Sequence, residues 1–336
     1  MKAVLVRSLG EIVLVEMEKP VPGPGEIVVA MKAVGICGSD TTPWYVASKA
    51  PVVLGHEPAG VVVEVGALVG AFRPGDRVVV HHHAACGACR FCRAGEDVMC
   101  PEWKKTRLHP GGLAEYVRVE AAAVATDTLR LPDSLSFEDG ALVEPLACAV
   151  KAVRRARIAP GDSVAVIGLG ANGILLGLVA RASGAVALVG CDPDPHRRAH
   201  ALRLGFDQVV APEEDLASKV KSRGGADVVF VLPTSEEAVC SGVAAAGPAG
   251  RVVFYSPVQP GKRWAIEPHW PYLRDLSMLF SYSSGGRDLR EALALLERGT
   301  VRARDIVTNR VPLERAAEAF ALARQGGDVL KVVVTF

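Results

Sequence analysis

Net charge is almost absent from this sequence: 38 Lys and Arg stand against 37 Asp and Glu, a formal balance of +1. Nucleic acids and anionic membranes select for a basic excess, so neither is expected as a partner. A membrane-spanning stretch is missing as well. The longest uncharged run, Ser163 to Ala180, holds Asn172 and four glycines, whereas a spanning helix needs about 20 apolar residues. A strand, a glycine turn and a helix account for that run better. The first apolar stretch stops at Arg7, short of a secretion-signal core. Internal repeats and low-complexity segments are also lacking. The expectation is a cytoplasmic protein that works on small molecules.

The chain has 336 residues, half of them hydrophobic, which suits two domains with large cores. The first 120 residues read as strands and turns. VLVRS, EIVLVEM, GEIVVAMKAVGIC and GVVVEVG are short apolar or alternating stretches punctuated by Gly and Pro. They predict a β-rich, partly barrel-like unit. Near Ser136 the character changes. SFEDGALVEPLACAVKAVRRA has helical periodicity, with Ser136 as N-cap and Asp139 three residues on.

Beyond Pro160 strands alternate with helices. Strands are expected near Ser163–Gly168, Ala187–Cys191, Gln208–Val210, Asp227–Val231, Arg251–Tyr255 and Ser277–Phe280. Helices are expected between them, at Ala171–Ala182 and Pro195–Leu204 among others. That alternation is the pattern of an α/β domain with a doubly wound parallel sheet. The tail Lys331–Phe336 reads as a strand able to return to the first domain. The boundaries expected are 1–140 with 305–336 for one domain, and 141–304 for the other.

The turn Gly168-Leu169-Gly170-Ala171-Asn172-Gly173 is a G-x-G-x-x-G run between a strand and an apolar helix. Gly168 permits the tight turn, Gly170 lets backbone approach a pyrophosphate, and Gly173 lets helix and strand pack closely. Free N–H groups at the helix start then receive the phosphates. Asp192, nineteen residues past Gly173 at the end of the next strand, can accept from the adenosine ribose hydroxyls and repel a 2′-phosphate. NAD(H) is therefore expected over NADP(H), although Arg197 and Arg198 stand close enough in sequence to serve a 2′-phosphate.

Eight cysteines are present, four of them in Cys86-x-x-Cys89-x-x-Cys92-(x)7-Cys100. Four thiolates on short loops fit a closed tetrahedral zinc site, which is structural because no position stays open. The adjoining His81-His82-His83 is expected to continue the strand Arg77-Val78-Val79-Val80 into this lobe, 84–103. Arg90, Arg93, Lys104, Lys105 and Arg107 read as a solvated face.

Three further stretches can supply a thiolate, an imidazole and two carboxylates: Gly35-Ile36-Cys37-Gly38-Ser39-Asp40, Gly55-His56-Glu57-Pro58-Ala59-Gly60 and Val143-Glu144-Pro145-Leu146. A catalytic zinc takes three protein ligands and keeps one position open. With the cysteine lobe and the glycine turn in this order, the sequence resembles the zinc-containing medium-chain dehydrogenases, the alcohol, sorbitol and threonine dehydrogenase group, over nearly its whole length.

The resemblance implies a GroES-like catalytic domain split around a Rossmann domain. It implies two zinc ions per chain, NAD(H), and a homo-dimer or homo-tetramer. By position, Cys37, His56, Glu57 and Glu144 match the catalytic zinc ligands, Glu57 either binding or standing behind the metal, and Ser39 matches the hydroxyl that takes the substrate proton. Glutamate at 144, where simple alcohol dehydrogenases carry cysteine, points to secondary alcohols such as polyols, sugar alcohols or cyclitols, with an amino alcohol as the alternative. One departure is Thr42, which stands where many members have a relay histidine. Trp44, Tyr45 and the segment Trp103 to His109 are expected around the substrate. A zinc-free reductase and a catalytically inactive zinc-stabilised NAD-binding protein are the competing readings.

Overall fold

A computed structural model of the chain describes residues 1–220 and 224–336. Two compact units divide it: Met1–Ala147 with Ser284–Phe336, and Cys148–Ser283.

In the first unit the strand Ile27–Gly35 is buried along almost its whole length. The reason is its position: it pairs antiparallel with Glu57–Val65, with Tyr116–Val119 and with Lys331–Thr335. Apolar side chains on both faces are therefore withdrawn from water, each worth about 1.5–3 kcal/mol. From Glu57–Val65 the sheet continues through Arg77–Val80 to Thr128–Arg130, and Val307–Pro312 runs parallel to Lys331–Thr335. A smaller sheet joins Lys2–Ser8 to Glu11–Glu16 and Val52–Val53. Ile27, Val29, Met31, Val62, Leu113, Phe320 and Val334 belong to one core. The C-terminal strand does return to this unit, with Val333 opposite Gly35.

Residues 284–304 pack here rather than in the dinucleotide domain, where the sequence had placed them. The helix Gly286–Glu297 buries Leu289, Ala292, Leu295 and Leu296. Ala303 donates its N–H to Asp139 Oδ1 at 2.7 Å. The helical run after Ser136 also differs from expectation. It breaks at Leu142 into Phe137–Ala141 and Val143–Ala156, which lets Pro145 fall in a first turn, where its missing N–H leaves no bond unmade. Ser136 and Asp139 form the reciprocal cap expected of them, Oγ accepting from Asp139 N at 3.0 Å and Asp139 Oδ2 from Ser136 N at 2.9 Å.

The second unit is a six-stranded parallel sheet in the order Gln208–Val210, Ala187–Cys191, Ser163–Ile167, Ala226–Val231, Ala246–Phe254 and Ser277–Phe280. This is the doubly wound order of a Rossmann fold. The central strand SVAVI is buried at all five positions, as expected for a strand covered on both faces. The helices Ala171–Ala182 and Pro195–Arg203 follow the first and second strands in sequence. Strand order reverses beside Ser163–Ile167, and ligands bind at the carboxyl ends of strands at such a switch. Among the described residues no helix is long and apolar enough to cross a membrane.

Candidate metal and dinucleotide sites

The glycine turn leaves the central strand where the fold places a ligand. Gly168 has φ +95°, a conformation that favours glycine. A Cβ on Gly173 would lie 1.8 Å from the Gly168 carbonyl oxygen, so this approach of helix to turn requires glycine. Asp192 is nearly inaccessible. Its Oδ2 accepts the Leu169 N–H at 2.7 Å and its Oδ1 the Asp194 N–H at 2.9 Å. The carboxylate thus ties the turn to the end of the neighbouring strand. Arg197 Nη1 lies 3.9 Å from Asp192 Oδ2, and Arg198 donates instead to the carbonyls of Asp192 and Pro193.

In the first unit the four-cysteine lobe closes on itself. Cys86, Cys89, Cys92 and Cys100 present sulfurs that all lie within 4.8 Å of one another. Cys89 and Cys92 sulfurs are 3.5 Å apart, and Cys86 and Cys92 sulfurs 3.9 Å. A disulfide would require about 2.05 Å. Tetrahedral zinc with bonds of about 2.3 Å sets sulfur–sulfur edges near 3.8 Å, which these separations bracket. Backbone N–H groups of Ala88 and Cys89 bring the Cys86 thiol down to about 7. Burial and the adjoining Cys89 and Cys100 thiols push Cys92 up to about 12, an arrangement that a shared cation would relieve. Trp103 is wholly buried against Ala85, Val98 and Cys100. It braces this lobe.

The second cluster assembles from residues that sequence keeps apart. Cys37 caps the short 3-10 helix Gly38–Thr41, and Glu57 opens the strand Glu57–Val65. Cys37, His56 and Glu57 bring one ligand atom each within 4.8 Å of the others. Behind His56 stands Asp40, buried, with Oδ1 3.4 Å from His56 Nδ1 and Oδ2 accepting the Cys37 N–H at 3.1 Å. A metal-binding imidazole characteristically turns its second nitrogen to such a carboxylate. Burial opposes charge on His56, but Asp40 and the Cys37 sulfur more than offset it and raise its pKa well above the usual value. The same negative surroundings favour a dication.

Glu57 has its own partner. The Lys331 ammonium lies 2.7 Å from Oε1 and 2.5 Å from Oε2, and also donates to the Ile36 carbonyl at 3.0 Å. Burial would lower the Lys331 pKa, but Glu57 and Cys37 raise it. A Cβ at Gly35 would meet Glu57 Oε2 at 1.9 Å, so glycine is what admits this carboxylate beside the strand.

Glu144, expected beside Cys37, His56 and Glu57, has a carboxylate oxygen within 4.8 Å of ligand atoms of His81 and His82. It enters from the first turn of Val143–Ala156. The strand expected to run on through the histidines ends at Val80, which frees the tract to turn. His56 and His82 ring centroids are 5.1 Å apart, so the two groups adjoin. Ser39 lies in the 3-10 turn after Cys37, and Thr42 Oγ1 donates to the Gly38 carbonyl at 2.9 Å. Asp40 and Lys331 had no role assigned from sequence. Asp40 lay within a quoted motif without a reason to single it out, and Lys331 is 274 residues from Glu57.

Both units have recognisable relatives. Residues 23–133 match the family described as Alcohol dehydrogenase GroES-like domain, and residues 171–298 that described as Zinc-binding dehydrogenase. Sorbitol dehydrogenase of Ovis aries is 33% identical over 350 residues, spanning 99% of this chain and 95% of the sheep protein. A zinc-binding dehydrogenase of Sinorhizobium meliloti 1021, solved bound to NADP, superposes with a TM-score of 0.89 at 30% identity, covering 100% of this chain and 99% of that one. The 2R,3R-butanediol dehydrogenase of Bacillus subtilis gives 0.88 at 28% identity, with 100% and 99% covered. The chain therefore belongs to the zinc-dependent medium-chain dehydrogenases, a class of oxidoreductases, and within it to the sorbitol dehydrogenase-like group.

Proposed function

We propose that this protein interconverts a secondary alcohol and a ketone on a polyol, sugar alcohol or cyclitol, using NAD(H) and two zinc ions per chain. The observation that carries the reading is the convergence of Cys37, His56 and Glu57 into one donor set. A thiolate, an imidazole and a carboxylate suit zinc, and they leave room for a substrate oxygen. Bound zinc would supply Lewis acidity to that oxygen, and bound nicotinamide would supply the hydride acceptor.

The protein's own groups do the rest. Asp40 orients His56 and fixes which nitrogen faces the metal. Glu57, held from behind by Lys331, balances positive charge at the site. Ser39 takes the hydroxyl proton of the substrate. In the second unit the N–H groups after Gly168 receive the pyrophosphate, and Asp192 accepts from the adenosine ribose. A carboxylate there favours NAD(H) over NADP(H); the Sinorhizobium relative solved with NADP makes the comparison of the two worth measuring. The second zinc belongs to Cys86, Cys89, Cys92 and Cys100, and its role is structural.

Sorbitol and butanediol dehydrogenases among the relatives support a substrate with neighbouring hydroxyls. The thiol cluster of Cys86, Cys89, Cys92 and Cys100, whose sulfurs stand at metal-site rather than disulfide separations, supports a reducing, cytoplasmic setting. A homo-dimer or homo-tetramer is supported by an apolar edge on the second unit. Met278 and Phe280 on its last strand, with Trp270, Tyr272 and Leu273 on a short helix, are exposed.

The test is NADH formation at 340 nm with a panel of polyols, cyclitols and amino alcohols, run in parallel with NADP+. Cys37→Ala and His56→Ala are expected to lower turnover about a thousandfold or more, because several kcal/mol of charge stabilisation goes with the metal. NADH binding, read by its fluorescence, should persist. Full activity in either variant would remove the assignment.

A further inference from the structure

Two cations stand near the Cys37 and His56 donor set that the proposed reaction does not use. The ring of His56 is followed by that of His82, centroids 5.1 Å apart, and His82 by His83, centroids 4.2 Å apart. His83 Nδ1 lies 2.9 Å from the Thr106 carbonyl oxygen, which sets Arg107 beside it. A second segment, the helix Pro43–Ala47, follows the Cys37 turn directly. Lys49 lies just past its end, its N–H donating to the Val46 carbonyl at 2.9 Å and its ammonium 3.9 Å from the Tyr45 ring centroid.

The imidazoles of this tract are neutral at pH 7. Burial, then the charges of Arg107 and Lys49, bring His83 down to about 4 against the effect of the Thr106 carbonyl. Burial and the neighbouring histidines, with Lys49, hold His82 well below its usual value. The positive charge here therefore belongs to Lys49 and Arg107, and both are exposed. The carboxylates of the surrounding segments do not neutralise them. Glu102 pairs with Lys105 at 2.7 Å, Glu120 with His109 at 2.6 Å, Asp40 with His56 and Glu57 with Lys331, while Glu144 stands by His81 and His82. Among the described residues neither Lys49 nor Arg107 has a carboxylate partner.

We propose that the substrate is a polyol bearing an anionic group, a phosphate ester or a carboxylate, which Lys49 and Arg107 bind while the reacting hydroxyl lies at Cys37 and His56. A neutral polyol presents hydroxyls alone, and neutral imidazoles and hydroxyl side chains suffice to meet them. A guanidinium adds a planar pair of donors matched to two oxygens of one phosphate or carboxylate, and an ammonium adds a point charge. The Tyr45 ring holds the Lys49 ammonium by its face, which limits the freedom lost when an anion arrives. Two unpaired cations beside one cleft also draw an anion in from solution, an effect that salt screens. That the anion is a substrate rests on the dehydrogenase reading; that the position takes an anion does not.

The experiment gives the zinc-loaded full-length protein NAD+ with a set of pentitols and hexitols, their terminal phosphate esters and the corresponding aldonates, and reads kcat/KM from NADH at 340 nm. The wild type is expected to prefer one anionic form over its neutral polyol by about tenfold or more, and which form it prefers distinguishes phosphate from carboxylate. That preference should fall as salt is raised. Lys49→Met and Arg107→Met should each lower it about fivefold, chiefly through KM, and Lys49→Arg should keep most of it. Equal or better use of the neutral polyols by the wild type, or a preference that survives both Met variants, overturns the proposal. If no member of the set is oxidised, calorimetry measures binding of the phosphate esters and aldonates to the NADH-loaded protein. Binding that both Met variants lose would sink the dehydrogenase reading and leave the anion position standing, whereas no binding removes both.

Discussion

Lys331 and Glu57 are both buried, and each is the other's counter-charge. Removing one partner of such a pair strands a charge in a medium that solvates it poorly, at a cost of about 3–5 kcal/mol. Lys331→Met is therefore expected to lower the melting temperature strongly. Glu57→Gln added to it should restore part of the loss, giving a coupling of about 1–3 kcal/mol in a double-mutant cycle from denaturant midpoints. Additive effects would show that the pair is not a unit. The residues that contribute chemistry were readable from the sequence, because a thiol, an imidazole and a carboxylate at 37, 56 and 57 are recognisable ligand types. Those standing behind them were not. Lys331 reaches Glu57 only because strand register sets Val333 against Gly35 and Gly35 against Glu57, and register is a tertiary fact.

Among the elements, the strand ends of the parallel sheet are tied by side chains as well as by the ladder. Asp227 Oδ2 accepts from Ser163 N at 2.8 Å and from Ser163 Oγ at 2.7 Å, joining the starts of two adjacent strands. Burial alone would push the Asp227 carboxyl up, but these two donors and Arg251 bring it below its usual value. A carboxyl lowered in the folded state stabilises the fold above its unfolded pKa, near 4, and that contribution fades as pH falls through the folded value. Asp227→Asn should cost about 1–2 kcal/mol at pH 7. The difference from wild type, read as urea midpoint, should shrink below about pH 4. A gap that stays constant down to pH 3 would dissociate the effect from the charge.

The elements of this unit were the most legible part of the chain. Val164 to Ile167 is apolar without alternation, Gly168 can turn, and Ala171 to Ala182 is uninterrupted by proline. Such local signals suffice for a strand–turn–helix. They did not suffice for the break at Leu142, which two adjoining helical patterns conceal, nor for the histidine tract, whose bend away from its strand depends on the Thr106 and Trp103 segment packed against it.

On the scale of the whole molecule, the last strand of the parallel sheet, Ser277–Phe280, leaves one edge unpaired among the described residues, and Phe280 is 61% exposed there. Unpaired backbone beside exposed aromatic surface is a template for a second copy, and a two-fold axis would pair the edge with itself. Phe280→Lys is expected to shift the protein toward monomer in sedimentation or light scattering. An unchanged assembly would place the contact elsewhere. Residues 284–304 follow the dinucleotide unit in sequence, and only their packing through Leu289, Leu295 and Ala303 groups them with the other.

The pairing of Glu57 with Lys331 also orders events in time. A ribosome making this protein will have emitted Cys37, His56 and Glu57 long before their buried ammonium exists, since synthesis must first pass through the entire nucleotide unit. Until residue 331 emerges and its strand adds to the sheet, Glu57 lacks the ammonium that balances it in the finished fold. A metal ion arriving early would meet a stronger electrostatic attraction than one arriving at the finished enzyme.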